Sequence, residues 1–250
     1  MSLLDRAYAA FSYLHGVGSP HTWRLSTAVC PNCGPSCFIV LRPEPFFIRC
    51  LKCKATAINL ALITAVQQSV NDLKDKEVYE MSTYGSTYSF LKASCRVFHC
   101  SEFMPGHKSG EWINGIRNED AQQLSFANES LDLITSNQVF EHVPDDLMAY
   151  RECWRTLRPG GALSFTVPLY ETDRTVQVAM LKEGAIRWLS TPEFHASRST
   201  GPNSVPVFWR FSVNDISKRV AAEGFSKVSL LDITLVTRQL VPQFVIHAVK

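Results

Sequence analysis

The sequence predicts an α/β fold: a mostly parallel sheet covered by helices on both faces, preceded by a small four-cysteine module. Three observations predict it. From residue 77 onward, short apolar strands alternate with helical segments, and that alternation implies a parallel sheet with helical crossovers. Ahead of them stand two Cys-x2-Cys pairs. The length, 250 residues, suffices for one such domain with a sizeable core and a small appendage. The composition is 46% hydrophobic and 19% charged with a net charge of +2, which by itself points to neither a nucleic-acid nor an anionic membrane partner.

Residues 1–16, "MSLLDRAYAAFSYLHG", read as a short helix with Leu3, Leu4, Tyr8, Phe11 and Leu14 as its apolar stripe. This start lacks a basic stretch leading into a long apolar run, so no signal peptide is expected. No apolar run approaches the roughly 20 residues that span a bilayer. A cytoplasmic setting is therefore expected, with reduced cysteines suited to metal or core roles.

"CPNCGPSCFIVLRPEPFFIRCLKC" places Cys30 and Cys33 on one knuckle and Cys50 and Cys53 on another, with 16 residues between the pairs. Four thiolates on two knuckles close a tetrahedral shell around zinc, and soft sulfur suits that ion. The alternative is four buried reduced thiols. Cys37 is a substitute ligand without a matching knuckle. A closed four-sulfur site stabilises a fold and does not catalyse, so a structural zinc is expected to hold residues 22–56 together. Residues 1–56 carry Arg6, Arg24, Arg42, Arg49, Lys52 and Lys54 against Asp5 and Glu44, a mild basic excess that suits a solvated surface or an RNA contact.

"AINLALITAVQQSV" (57–70) reads as a bridging helix within a linker at 57–76. The domain that follows, 77–250, has strands at "EVYE", "RVFHC", "LDLITS", "ALSFTV", "KVSLLDI" and "FVIHAV". Its helices are at "TYSFLKAS", "DDLMAYRECWRTL" and "VNDISKRVAAEG". The first strand ends in Glu80, and a turn with one glycine, Gly85, opens a helix. Glu102 lies 22 residues beyond Glu80 at the end of the second strand, where a carboxylate is placed to hold a ribose diol. Asp120 stands where a third strand would end, suited to an adenine amino group, with Glu119 as its competitor. Asp132 reads as a structural acid. Asn137 and Gln138 follow the fourth strand, in the crevice where ligands of such sheets bind. In "RPGG", Gly160 and Gly161 are expected to supply a positive-φ helix stop.

Residues 77–168 resemble the class I S-adenosylmethionine-dependent methyltransferases. "DAQQLSF", "LDLI", "EHV" and "LRPGG" match, in order, the family signature D-A-x-x-L-P-F, F-D-x-V, E-H-V and L-x-P-G-G, and the resemblance extends over about 72–250. It implies a Rossmann-like sheet of seven strands, the last one antiparallel. It also implies S-adenosylmethionine as cofactor and methyl transfer as the reaction. The family's opening loop, acid-x-Gly-x-Gly-x-Gly, becomes Glu80-x-Ser82-x-Tyr84-Gly85. Ser82 is small enough for close backbone approach, and Gly85 gives the turn one position late. Glu80 then falls near the methionyl amine.

A zinc ribbon ahead of such a domain is similar to two groups: methyltransferases of glycan and small-molecule pathways, and rRNA guanine methyltransferases with an N-terminal zinc finger. Three functions follow. The first is methylation of a hydroxyl on a small molecule or sugar; the second is RNA methylation with the ribbon as clamp; the third is a non-catalytic interaction protein that keeps the fold. The mild charge and the proline-containing insertion favour the first. That insertion, at about 170–210, is expected to be a lid over the acceptor. Within it, His195 is the candidate general base, His142 of "EHV" is the rival, and Tyr170 is placed to orient the acceptor. Phe208, Trp209 and Phe211 read as core.

Overall fold

A computed structural model describes residues 23–197, 201–236 and 240–250. The helix expected over 1–16 lies outside the described residues. The chain begins with a three-stranded antiparallel sheet of β1 (Arg24–Cys30), β2 (Gly34–Val40) and β3 (Ile48–Cys50). Helix α1 (Ala57–Ser69) follows, started by a reciprocal cap: the Thr56 hydroxyl accepts from the Asn59 amide, and the Asn59 side chain accepts from the Thr56 amide. This helix is apolar nearly all round because it is covered on two sides. Ala57 and Leu60 join the core of the small sheet, while Ala61, Leu62, Ala65 and Val66 join that of the large one.

The large sheet contains β4 (Glu77–Glu80), β5 (Val97–Cys100), β8 (Leu131–Asn137), β9 (Leu157–Thr166), β17 (Lys227–Val236) and β18 (Leu240–Val249), in the spatial order β17-β18-β9-β8-β4-β5. The β5–β4–β8–β9 pairs are parallel, while β18 runs antiparallel to both neighbours. Consecutive residues of each strand point to opposite faces. Val78, Leu133, Ala162 and Val245 meet α1 and helix α2 (Gly85–Ser94); Tyr79, Ile134, Leu163 and Ile246 meet helices α3 (Asp146–Thr156) and α4 (Ile216–Ala221). Strands buried on both faces explain runs such as "LDLITS".

Among the described residues six strands pair in this sheet. Beside β5, where the resemblance implies a seventh, there is a single parallel bridge between Glu102 and Asn118. Gly106, Gly110, Asn114 and Gly115 all have positive φ, and the short hairpin β6 (Trp112–Ile113) and β7 (Ile116–Arg117) turns the chain back before a strand can extend. The "RPGG" segment also departs from expectation. Helix α3 ends at an extended Leu157, and the four residues form a bulge in β9, where the register with β8 jumps from Leu131–Leu157 to Leu133–Ala162. Only Gly160 has positive φ (76°). Gly161 is needed because a Cβ there would sit 2.9 Å from the Arg158 carbonyl oxygen and 3.0 Å from that of Asp132.

Between β9 and α4 the chain forms small hairpins: β10 (Leu169–Tyr170), β11 (Val176–Gln177), β12 (Ala179–Lys182), β13 (Ala185–Trp188), β14 (Phe194–Ser197), β15 (Gly201–Pro206) and β16 (Trp209–Ser212). Phe208 and Phe211 are buried and Trp209 packs against the core, as the sequence suggests. Among the described residues no helix is long and apolar enough to cross a membrane.

Candidate functional site

The four knuckle cysteines converge. Cys30 and Cys53 lie 3.7 Å apart at sulfur and Cys33 and Cys50 lie 3.5 Å apart, with all four sulfurs within 4.8 Å of one another. A tetrahedral site with zinc–sulfur bonds of about 2.3 Å has edges of about 3.8 Å, so the donor set fits zinc. After each second cysteine the backbone turns left-handed, at Gly34 (φ 77°) and Lys54 (φ 62°), which wraps the chain under the sulfurs. Burial pushes the Cys50 thiol up. The Ser36 hydroxyl, 3.0 Å away, and the Cys53 and Lys52 amides outweigh that and bring it to about 6. Burial raises the Cys30 thiol. Cys37 stays outside the group, with its sulfur 3.9 Å from the Phe38 carbonyl.

The second site lies at the carboxyl ends of β4, β5 and β8. Glu80 is fully buried, and its carboxylate accepts from the Thr135 hydroxyl. Burial, with Glu102 adding to it against Thr135, pushes Glu80 up to about 8. Between Glu80 and Gly85 only Gly85 (φ 96°) is left-handed. Ser82, Thr83 and Tyr84 reach the helix start without it, so this turn makes no demand for further glycines. Thr83 ties the loop down. Its amide and hydroxyl both donate to Glu102 Oε1, at 2.8 and 2.7 Å. Glu102 Oε1 is thus engaged by the loop, while neither of these bonds uses Oε2. Ser82 bonds only within the loop, to Tyr84.

Asp120 accepts from the amide of Gln122 at 2.9 Å and its side chain at 3.0 Å, a local turn that leaves the carboxylate half-exposed. Glu119 is buried and saturated by Arg117 and Ser125, which makes it the structural acid of the pair. Asp132 is likewise structural, binding Arg158 and the Glu77 amide. Asn137 accepts from Thr166 at 2.7 Å, but its side-chain nitrogen is buried with no partner, as is the Ser136 hydroxyl. Gln138 turns back with φ 58° and also bonds Thr166. Unmet donors at this strand end fit a polar ligand in the crevice.

Three residues past the end of β8, the one-turn helix Phe140–His142 presents Glu141 and His142 to His195 on β14. The His142 Nδ1–H donates to the Pro206 carbonyl at 2.8 Å, and His142 Nε2 lies 3.2 Å from His195 Nδ1. Burial lowers His142 to about 4, with the Pro206 carbonyl opposing; burial also lowers His195, against Glu193. The structure thus brings together two histidines separated by 53 residues of sequence. Tyr170 is raised by burial, then by Glu193 and against Arg210.

A methyltransferase-domain family model matches residues 100–165. A malonyl-[acyl-carrier protein] O-methyltransferase of Methylococcus capsulatus is 30% identical over 57% of this chain and 46% of its own length. A ubiquinone biosynthesis O-methyltransferase of Sinorhizobium fredii is 33% identical over 33% of this chain and 34% of its own. The chain thus spans less than half the length of these relatives. An S-adenosylmethionine-dependent methyltransferase from Mesorhizobium loti shares the fold at TM-score 0.51 and 15% identity, covering 76% of this chain and 98% of that one. Residues 100–165 thus match a methyltransferase domain, and the chain as a whole shares the fold of an S-adenosylmethionine-dependent methyltransferase. The sequence gives no signal for Thr83, Thr135, Thr166 and Glu141 at these two crevices. The threonines belong to no motif, whereas Glu141 stands in plain view beside His142, masked as a site residue by the apolar "VF" before it.

Proposed function

We propose that this methyltransferase places a methyl group on a hydroxyl of a small molecule or sugar, with a structural zinc in the four-cysteine ribbon. The observation that carries the proposal is the His142–His195 pair, which sits just beyond the crevice at the end of β8 and is partly covered by the hairpins at 169–212. The two O-methyltransferase relatives support an oxygen acceptor. Glu80 offers a buried acid to the methionyl amine, Glu102 Oε2 a ribose hydroxyl acceptor, and Asp120 an acceptor for the adenine amine. Ser82, Gly85, Asn137 and Gln138 border the same crevice.

S-adenosylmethionine supplies, when bound, a sulfonium methyl group already activated for displacement. The protein's part is to align the acceptor and take its proton. With the cofactor bound, the acceptor oxygen would take up the methyl group as the sulfonium sulfur leaves, and its hydroxyl proton would pass to imidazole. His195, half-exposed on the hairpin, is placed to receive it. A general base contributes about 100- to 10,000-fold. His195→Ala is therefore expected to lower turnover by at least about 100-fold with cofactor affinity near wild type, measured by methyl transfer from labelled cofactor to a panel of hydroxyl acceptors. Unchanged turnover in His195→Ala would overturn this role.

A further inference from the structure

We propose that Glu141, His142 and His195 form a binding site for a divalent transition-metal ion, separate from the four-cysteine site. The three donor atoms face one another. Glu141 Oε1 is 3.7 Å from His142 Nε2 and 3.9 Å from His195 Nδ1, and the two nitrogens are 3.2 Å apart. Metal–ligand bonds of about 2.0–2.2 Å require donor separations of about 3.0–3.6 Å, so the carboxylate needs to move only a few tenths of an ångström.

The protonation pattern points the same way. Because His142 Nδ1 donates to the Pro206 carbonyl, its Nε2 carries a lone pair directed into the cluster. A backbone acceptor on the far ring nitrogen is the arrangement that fixes a metal-binding histidine. Glu141 supplies the second, independent observation. It is 1% exposed, and neither carboxylate oxygen accepts a hydrogen bond from another residue. A buried carboxylate without a partner is costly, and a dication provides the missing counter-charge.

The cluster is also held from outside. The Glu141 carbonyl accepts from the Phe208 amide at 2.8 Å, and His195 pairs with Val205 across the β14–β15 hairpin. On its other side, His195 Nε2 lies 3.8 Å from Glu193. Two imidazoles and one carboxylate suit zinc, iron(II), cobalt, nickel or manganese, and three protein ligands leave positions open. The use of the ion rests on the functional reading above. An acceptor oxygen in an open position would lose its proton more readily, as a zinc-bound water does at about pH 7. His195 would then also hold the ion, and the loss of turnover in His195→Ala would be offset in part by excess metal.

The test uses the full chain titrated with cobalt(II), following equivalents bound and the absorption spectrum. Two equivalents per chain are expected: one with a sulfur-to-cobalt charge-transfer band, one without it. His195→Ala and Glu141→Gln should each weaken the second by at least about tenfold and keep the sulfur band, whereas Cys30→Ser should lose the band and keep the second. His195 sits on a half-exposed hairpin, so its variant keeps the inference testable if Glu141→Gln misfolds. A single equivalent at saturating cobalt, or a second one indifferent to His195→Ala, would overturn the site; a proton shared between the two imidazoles would then explain their approach. The two readings separate cleanly. Cobalt bound at the cluster without methylation of any hydroxyl leaves the site standing and removes the function, while hydroxyl methylation by a protein that takes up no cobalt at the cluster at saturation does the reverse.

Discussion

Glu80 is a buried acid with a neutral hydroxyl as its hydrogen-bond donor, and this has a measurable sign. Its ordinary value is 4.5 and its folded value about 8, raised first by burial. Between these the folded chain holds a proton that the unfolded chain has released. The contribution to stability is fully present below about pH 4.5 and is lost as pH rises through about 8. Glu80→Gln removes that loss. In the ligand-free protein the variant should melt higher than wild type at pH 8, with the gap closing toward pH 5. Thermal melts at the two pH values check it, and an equal gap at both would refute it. Glu80 ends β4 and Glu102 follows the end of β5 by two residues, places that periodicity and spacing reveal, whereas Asp120 stands where no strand forms. That Glu102 spends one oxygen on Thr83 was not legible, since a side-chain bond across 19 residues leaves no local pattern.

At the scale of elements, the "RPGG" bulge separates two roles that glycine plays. Gly160 is left-handed with open space around its missing Cβ, so Gly160→Ala should cost about 1 kcal/mol through backbone strain. Gly161 is crowded by three carbonyl oxygens, so Gly161→Ala forces β8 and β9 apart at a cost of about 1–3 kcal/mol. Urea unfolding should rank Gly161→Ala as the more damaging; the reverse order would contradict the close-approach argument. The sequence announces both glycines as a helix stop because "PGG" after a helical run looks like one. The chain instead uses proline to end α3 and the glycines to bulge β9, a choice made by tertiary pairing with Leu131 and Leu133. The expected third strand failed for the converse reason. Its residues 103–117 are punctuated by glycines, and only the bridge at Asn118 survives.

For the whole molecule, α1 is the element shared by the ribbon and the large sheet. One side of it completes the ribbon core and the other lies on the large sheet. The second knuckle and α1 also touch α2, since the Ser86 hydroxyl donates to the Cys53 carbonyl at 3.3 Å and the Asn59 side chain donates to Thr87 at 3.5 Å. Zinc should be present at about one equivalent in the ribbon, and stripping it should unfold 24–56 first because that segment has little core of its own. Loss of Leu60's cover should then lower the melting temperature of the remaining domain as well. Hydrogen exchange on chelator-treated protein should show α1 and the start of α2 losing protection with the ribbon; full protection there would mean the two units are energetically independent. The strand–helix order and the cysteine site were readable because both depend on local spacing. The meeting of His142 with His195 was not, because it is made by hairpins whose register only the folded chain sets.

The glycine-poor turn has a pharmacological consequence. A glycine-rich loop offers a ligand bare backbone at the methionine end. On the placement proposed here, this protein offers hydroxyl-bearing side chains at Ser82, Thr83 and Tyr84, with Thr83 already anchored to Glu102 and Ser82 bonded only to its neighbour. An inhibitor that reaches the Ser82 hydroxyl while filling the cofactor crevice gains a contact that a glycine at that position cannot supply, and so a basis for selectivity.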